Sequence, residues 1–159
     1  MESFVNDNKK PQNPRLALQN FVPFRLNRLA TAVSEHLSQI YRDRFALEIP
    51  EWRVLVTLGE HQSATAQHIV ASTRMHKTRV SRAVASLLKR QLIERVSNSS
   101  DAREYSLHLS KGGKRLYASL VPLALERERL LLSCLDSAQQ RSLMEVLSRF
   151  EESLGLSDQ

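Results

Sequence analysis

Glycine, proline and cysteine are all scarce in this sequence, with four Gly, five Pro and one Cys among 159 residues. Four glycines are too few for a turn-rich β-sandwich or for a glycine-rich nucleotide-binding loop. A lone Cys134 excludes an intramolecular disulfide and any multi-cysteine metal site, and it favours a reducing, cytoplasmic compartment. No apolar run is long enough to span a bilayer, and the opening MESFVNDNKK lacks the apolar stretch of a secretion signal, so no membrane partner is expected. The G-x-S-x-G, H-E-x-x-H and phosphate-loop patterns are missing, so no enzyme is expected. His36, His61, His68, His76 and His108 show no paired ligand spacing, and neither a metal nor a cofactor is expected.

Hydrophobic residues at 42% and charged residues at 25% describe a globular chain of one-domain size. The formal charge of +6 is unevenly placed. From His61 to Ile93 there is no Asp or Glu, while Arg74, Lys77, Arg79, Arg82, Lys89 and Arg90 supply six cations. Six of the 23 Lys and Arg therefore carry the entire excess, leaving 17 to balance the 17 acidic residues. A charge so confined is the electrostatic footprint of a polyanion partner; the alternative is a solvated basic helix face.

Met1 to Pro14 reads as a polar arm. Leu26, Leu29, Val33, Leu37 and Ile40 then recur at steps of three and four, predicting a helix that ends near Phe45, with Pro23 at a separate turn or bend at its start. Pro50 is suited to the first position of a second helix, to about Glu60, with Trp52, Leu55, Val56 and Gly59 facing a core. Thr65 caps a short third helix anchored by Ile69 and Val70, and Ser72-Thr73-Arg74 forms a turn. A fourth helix follows from Lys77 to Arg90, burying Val80, Val84, Leu87 and Leu88. Helix, short turn and basic helix is the helix-turn-helix arrangement.

The period then shortens to two. Leu92–Val96 and the alternation around Tyr105, Leu107 and Leu109 predict two strands, joined by a polar loop from Ser97 to Arg103. Such a hairpin after a helix-turn-helix is a wing. Two helices close the chain. Ser110 caps the first, in which Pro122 predicts a kink; Asp136 or Ser137 caps the second, Ser137 and Gln140 having capping-box spacing. The stripe at Leu143, Leu147, Phe150 and Leu154, like that of the first helix, exceeds what a small winged helix can cover. Both suggest a helical homodimer interface, the alternative being that they fold onto their own domain.

Residues Met75 to Leu116, MHKTRVSRAVASLLKRQLIERVSNSSDAREYSLHLSKGGKRL, carry a basic recognition helix. They also carry Asp-x-Arg at Asp101 and Arg103, and Leu-Ser-x-x-Gly at Leu109, Ser110 and Gly113. In these features, and in element order from about Leu16 to Leu154, the sequence resembles MarR-type (MarR/SlyA) winged helix-turn-helix transcriptional regulators. It departs from them at Gln91, where the family usually has Gly, and at Ala102, where many members have a second arginine.

The resemblance implies a mainly α fold with a small β wing. It divides into a tail (1–15), an N-terminal dimerisation helix (16–48), a winged helix-turn-helix (49–110) and C-terminal dimerisation helices (111–159). It also implies a recognition helix in the major groove of a pseudopalindromic operator and a wing near the minor groove. Arg82 is the first choice for a base contact, because its planar fork matches two acceptors on guanine. Thr78 and Ser81 suit bases or phosphates, and Lys77 and Arg79 suit phosphates. Arg103 would reach the minor groove, oriented by Asp101. Lys89 and Arg90, at a helix C-terminus, read as mainly structural.

Family resemblance further implies repression relieved by a small effector, an aromatic acid or its CoA thioester. Arg25, Arg28 or His36 can meet such an anion, or can equally be rim residues of the dimer. Cys134, within Leu130–Leu135, reads as a buried hydrophobe rather than a reactive thiol. A nucleoid-associated protein without effector and a winged-helix protein-interaction module remain the rival binding functions.

Overall fold

The computed structural model describes residues 15–98 and 101–156, the side chains of 98 and 101–104 excepted. The expected arm Met1–Pro14 lies outside the described residues, as do Ser99 and Ser100 of the expected wing loop.

Among the described residues, six α-helices and a small sheet follow the order α1 (Val22–Phe45), α2 (Ile49–His61), β1 (Ser63–Ala64), α3 (Ala66–Thr73), α4 (Lys77–Lys89), β2 (Ile93–Asn98), β3 (Asp101–Leu109), α5 (Lys111–Leu132) and α6 (Ser137–Ser153). A 3-10 turn, Leu18–Asn20, precedes α1, so Pro23 falls in the first helical turn, where its missing N–H costs nothing. The chain divides into two compact units, Met1–Glu35 and His36–Gln159. In the first, Arg28 donates to the Gln19 side chain at 2.9 Å, and Leu26 and Leu29 are exposed.

The second unit holds the core. Leu47, Val54, Leu55, Leu58, Ile69, Val80, Leu87, Ile93, Leu107 and Leu120 are almost wholly buried and form one cluster. Tyr41 stacks on Trp52 at 5.3 Å, and burial pushes its phenol above the usual pKa. Leu55 faces the core as expected, and Trp52 packs against it half-buried; Glu51, Val54, Thr57 and Leu58 complete the inner face of α2, while Val56 and Gly59 are only half-buried. Gly59 still meets a neighbour closely: a Cβ there would lie 2.3 Å from the Tyr117 ring.

Local chemistry sets the boundaries. Thr65 Oγ1 accepts the His68 N–H at 3.1 Å and caps α3 as expected. The α3–α4 turn comes two residues later than its sequence suggests: α3 runs on through Thr73, where the Ser72 and Thr73 hydroxyls bond within the helix to the Ile69 carbonyl. Arg74 then takes the left-handed conformation, φ 54°. Before α6, the alternatives resolve to Asp136. Its carboxylate accepts from Ala138 and Gln139, and the Gln139 side chain accepts the Asp136 N–H, closing a capping box. Gln140, the expected partner of Ser137, instead donates to the carbonyls of Leu132 and Leu135. Helix α5 passes through Pro122 as one element.

The sheet has three antiparallel strands in the order β1-β3-β2. Two findings go beyond the sequence reading. The two-residue β1 pairs Ser63 with His108 and Ala64 with Leu107. The wing strands also run further than expected, taking in Ser97, Asn98 and Asp101 to Arg103, with a register irregularity at Ser97/Asn98. Towards the hairpin tip, Val96, Ser97 and Tyr105 are exposed, so neighbouring residues there have no buried face to mark by alternation.

No residue of α6 is buried, and in α5 only Gly113 and Leu120 are. Leu125, Met144 and Leu154 are each about three-fifths exposed. Cys134, expected to be a buried hydrophobe, is exposed: the leucine run that suggested burial ends α5, and Cys134 lies on the turn beyond it. Among the described residues no helix is long and apolar enough to cross a membrane.

Candidate nucleic-acid interface

The basic window folds into the helix-turn-helix and presents α4 outward. Val80, Ala83, Val84 and Leu87 face the core, which fixes the helix in rotation. Lys77, Thr78, Arg79, Ser81 and Arg82 are all exposed. These five candidates thus share the solvent side of the first turn and a half of α4. His76 supplies the N-cap that the sequence reading missed. Its Nδ1 accepts the Thr78 N–H at 3.3 Å, which requires an unprotonated Nδ1. Histidine is an uncommon cap, so the sequence gives it no general signal.

The other end of α4 is tied down more heavily. Leu92 N–H donates to Leu87 O and Gln91 N–H to Leu88 O, both at 2.9 Å, the paired bonds of a Schellman turn. That turn places Gln91 at φ 56°. The family's usual glycine is therefore absent while the left-handed conformation it serves is kept. Ser110 grips the same turn: its hydroxyl donates to Gln91 O at 2.7 Å and accepts the Gly113 N–H at 3.0 Å. A Cβ on Gly113 would lie 1.9 Å from Leu92 O. The Leu-Ser-x-x-Gly element thus joins the start of α5 to the end of the recognition helix, at a position open only to glycine.

Arg90 has a structural setting, but not for the helix-dipole reason its position suggests. Its guanidinium donates to Phe45 O at 2.8 Å and Ala46 O at 2.9 Å, capping the C-terminus of α1. It also lies 3.8 Å from the carboxylate of Glu51. Glu51 is buried, accepting from Ser86 Oγ at 2.5 Å and from Glu48 N–H at 2.7 Å. One carboxylate and one guanidinium therefore link the ends of α1 and α2 to α4. Lys89 is exposed at the end of α4.

Asp101 and Arg103 have their backbone in β3, while their side chains lie outside the described residues. The wing carries another cation that sequence reasoning passed over. Arg95 on β2 lies over the Tyr105 ring of β3, 4.6 Å from its centroid. Since Ser97 pairs with Tyr105 and Arg95 with Leu107, the two are diagonal neighbours on one face, a relation readable only once the register is known. The residues expected to meet an effector divide between the two units, Arg25 and Arg28 in the first and His36 in the second, and all three are exposed.

Comparison with known proteins places this architecture. The sequence profile of the MarR family matches residues 47–104. A MarR/EmrR-family regulator from Acinetobacter sp. ADP1 superposes with a TM-score of 0.80 at 26% identity, covering 88% of this chain and 99% of that one. Sco3205 from Streptomyces coelicolor, a MarR-family regulator solved in complex with DNA, gives 0.77 at 22% identity, covering 93% and 95%. BpsR from Bordetella bronchiseptica, whose DNA binding is regulated by 6-hydroxynicotinic acid, gives 0.76 at 19%, covering 87% and 98%. No curated protein matches the sequence. Residues 47–104 match the MarR-family profile, and the chain around them has the fold of the solved MarR-family transcriptional regulators.

Proposed function

We propose that the chain acts as a homodimer that binds a pseudopalindromic operator and represses transcription by occluding a promoter, until a small effector releases it. The observation that carries this reading is the exposed row Lys77, Thr78, Arg79, Ser81 and Arg82 on a helix locked by its buried face, inside the acid-free window that holds the whole charge excess. Arg82 reads a base edge, Thr78 and Ser81 bond to bases or phosphates, and Lys77 and Arg79 hold phosphates. Arg103 enters the minor groove with Asp101 as its support, and Arg95 adds a wing cation where Ala102 has replaced an arginine.

The duplicate arrangement rests on the apolar side chains that α5 and α6 leave exposed, Leu125, Leu130, Met144, Phe150 and Leu154 among them. With α1 they form the dimerisation helices that flank the winged helix-turn-helix. Monomers rarely leave so much apolar helix surface uncovered. Two protomers place two recognition helices on one duplex, with half-sites about 10 bp apart or a multiple of that.

An aromatic acid or its CoA thioester is the effector class, met by Arg25, Arg28 or His36. BpsR, which shares the fold, is regulated by one aromatic acid. Titration of the chain's own upstream DNA between 50 and 200 mM salt tests the reading. With three or four phosphate contacts per protomer, log K falls with log salt at a slope of roughly −5 to −7. A slope near zero, or a monomer at working concentration, refutes the proposal. A specificity ratio near unity would instead mark an architectural DNA-binding protein.

A further inference from the structure

Three of the five histidines lie around the link between α2 and α3. His61 is the last residue of α2 and His68 lies in the first turn of α3. The link between them is held by β1, which pairs with β3 through Ser63 and His108, so both carriers are fixed by backbone bonds. Their rings meet edge to face with centroids 5.0 Å apart and planes at 81°. Both are exposed on a cleft of about 410 Å³ that Ser63, Thr65 and Ser106 also line. Glu60 lies beside them, its carboxylate 3.9 Å from His61 Nε2. His108 is turned aside to Ser106, 2.8 Å from its hydroxyl.

From this geometry we propose that His61 and His68 form a two-imidazole clip for a divalent first-row transition ion, Ni²⁺ or Zn²⁺, with water completing the coordination. An ion about 2.1 Å from each nitrogen sits roughly 3.2 Å from each ring centroid, which puts two neighbouring imidazole ligands about 4.5–5.2 Å apart, centroid to centroid. The observed 5.0 Å falls inside that interval. Because both rings are exposed, aiming their nitrogens at one ion needs only side-chain rotation, with no repacking of the core. Imidazole suits both ions, and the Glu60 carboxylate beside the clip favours a cation.

Among the described residues no three His, Cys, Asp or Glu side chains form a metal-binding group. The clip is therefore an open, exchangeable site rather than a closed structural one. Its ligands were separated by seven positions in the sequence, and only β1 brings them together.

The proposal is independent of the DNA-binding reading and is tested without DNA. Tag-free, full-length protein is titrated with NiCl₂ and with ZnCl₂ by calorimetry, alongside His61→Gln, His68→Gln and Cys134→Ser. The expected result is one ion per chain. Either clip variant binds roughly a hundredfold more weakly, since the second imidazole acts at the effective concentration of a tethered ligand, and Cys134→Ser, at an exposed thiol, binds as the parent does. Both clip residues are exposed, so an unchanged melting temperature without metal confirms that the variants fold. Absence of binding by the parent overturns the proposal. So does binding that survives in both clip variants.

Discussion

Replacing Gln91 with glycine should make this protein more stable, although it removes a side chain and adds no contact. Gln91 sits at φ 56° in the turn that ends the recognition helix. An L-residue held in the left-handed region costs about 1–2 kcal/mol. Glycine relieves that strain but gives the unfolded chain more freedom, which takes back about 0.4–1 kcal/mol. Taking the middle of each range, the net gain is about 0.8 kcal/mol, because nothing else at the site changes. The bonds of the turn run through the backbone of Gln91 and Leu92 and the hydroxyl of Ser110, and the Gln91 side chain is exposed. For a chain of this length the gain raises Tm by roughly 1–4 °C. Urea denaturation at fixed protomer concentration measures it, since coupled association would otherwise move the midpoint. Gln91→Val, β-branched and forced into the same conformation, should shift the midpoint the other way. A glycine variant equal to or weaker than the parent, with an unchanged m value, would refute the reasoning.

Other substitutions separate structure from DNA contact. Gly113→Ala must move Leu92 or the start of α5, because its Cβ would lie 1.9 Å from a carbonyl oxygen, and should cost about 3 kcal/mol in the same urea assay. Arg90→Ala loses two carbonyl bonds and an ion pair and should cost about 1.5–3 kcal/mol. Its salt slope of DNA binding should stay at the parental value, whereas loss of a phosphate contact from each protomer would lower that slope by about 2. Arg82→Ala should leave stability unchanged, weaken operator binding by about 1–3 kcal/mol and relax preference at one base position in a competition titration. Arg95→Ala should bind all sequences more weakly and reduce the salt slope by about 2, one contact from each protomer, as measured by gel shift across a salt series.

The helix-turn-helix was legible because burial and period agree there. Val80, Val84 and Leu87 fall on one face of a 3.6-residue helix, and the missing acids mark the opposite side. The ends of α1 and α4 were readable within a residue for the same reason. Features that depend on distant partners were not. Arg90 reaches carbonyls 44 and 45 positions away, and Glu51 is buried by a serine 35 positions on. Nothing local distinguishes either from a surface charge. The two residues of β1 are too few to show a period. Asp136 and Ser137 each have a capping-box partner at the right spacing; Asp136 is used because its carboxylate accepts two N–H groups and places negative charge at the helix start. Cys134 misled because its neighbours are apolar, while its own place is a turn.

The Ser110 hydroxyl bridges two helices whose duties differ. One end of its bond pair is the turn that closes α4, and the other is the first free N–H region of α5, with Gly113 letting the two backbones nearly touch. A tilt of α5 therefore has no slack to take up at this joint: it either drags the last turn of α4 along or breaks the bridge outright. On the proposed reading of α4 as the helix that enters DNA, a serine and a missing methyl group carry any movement of the long helix into its last turn.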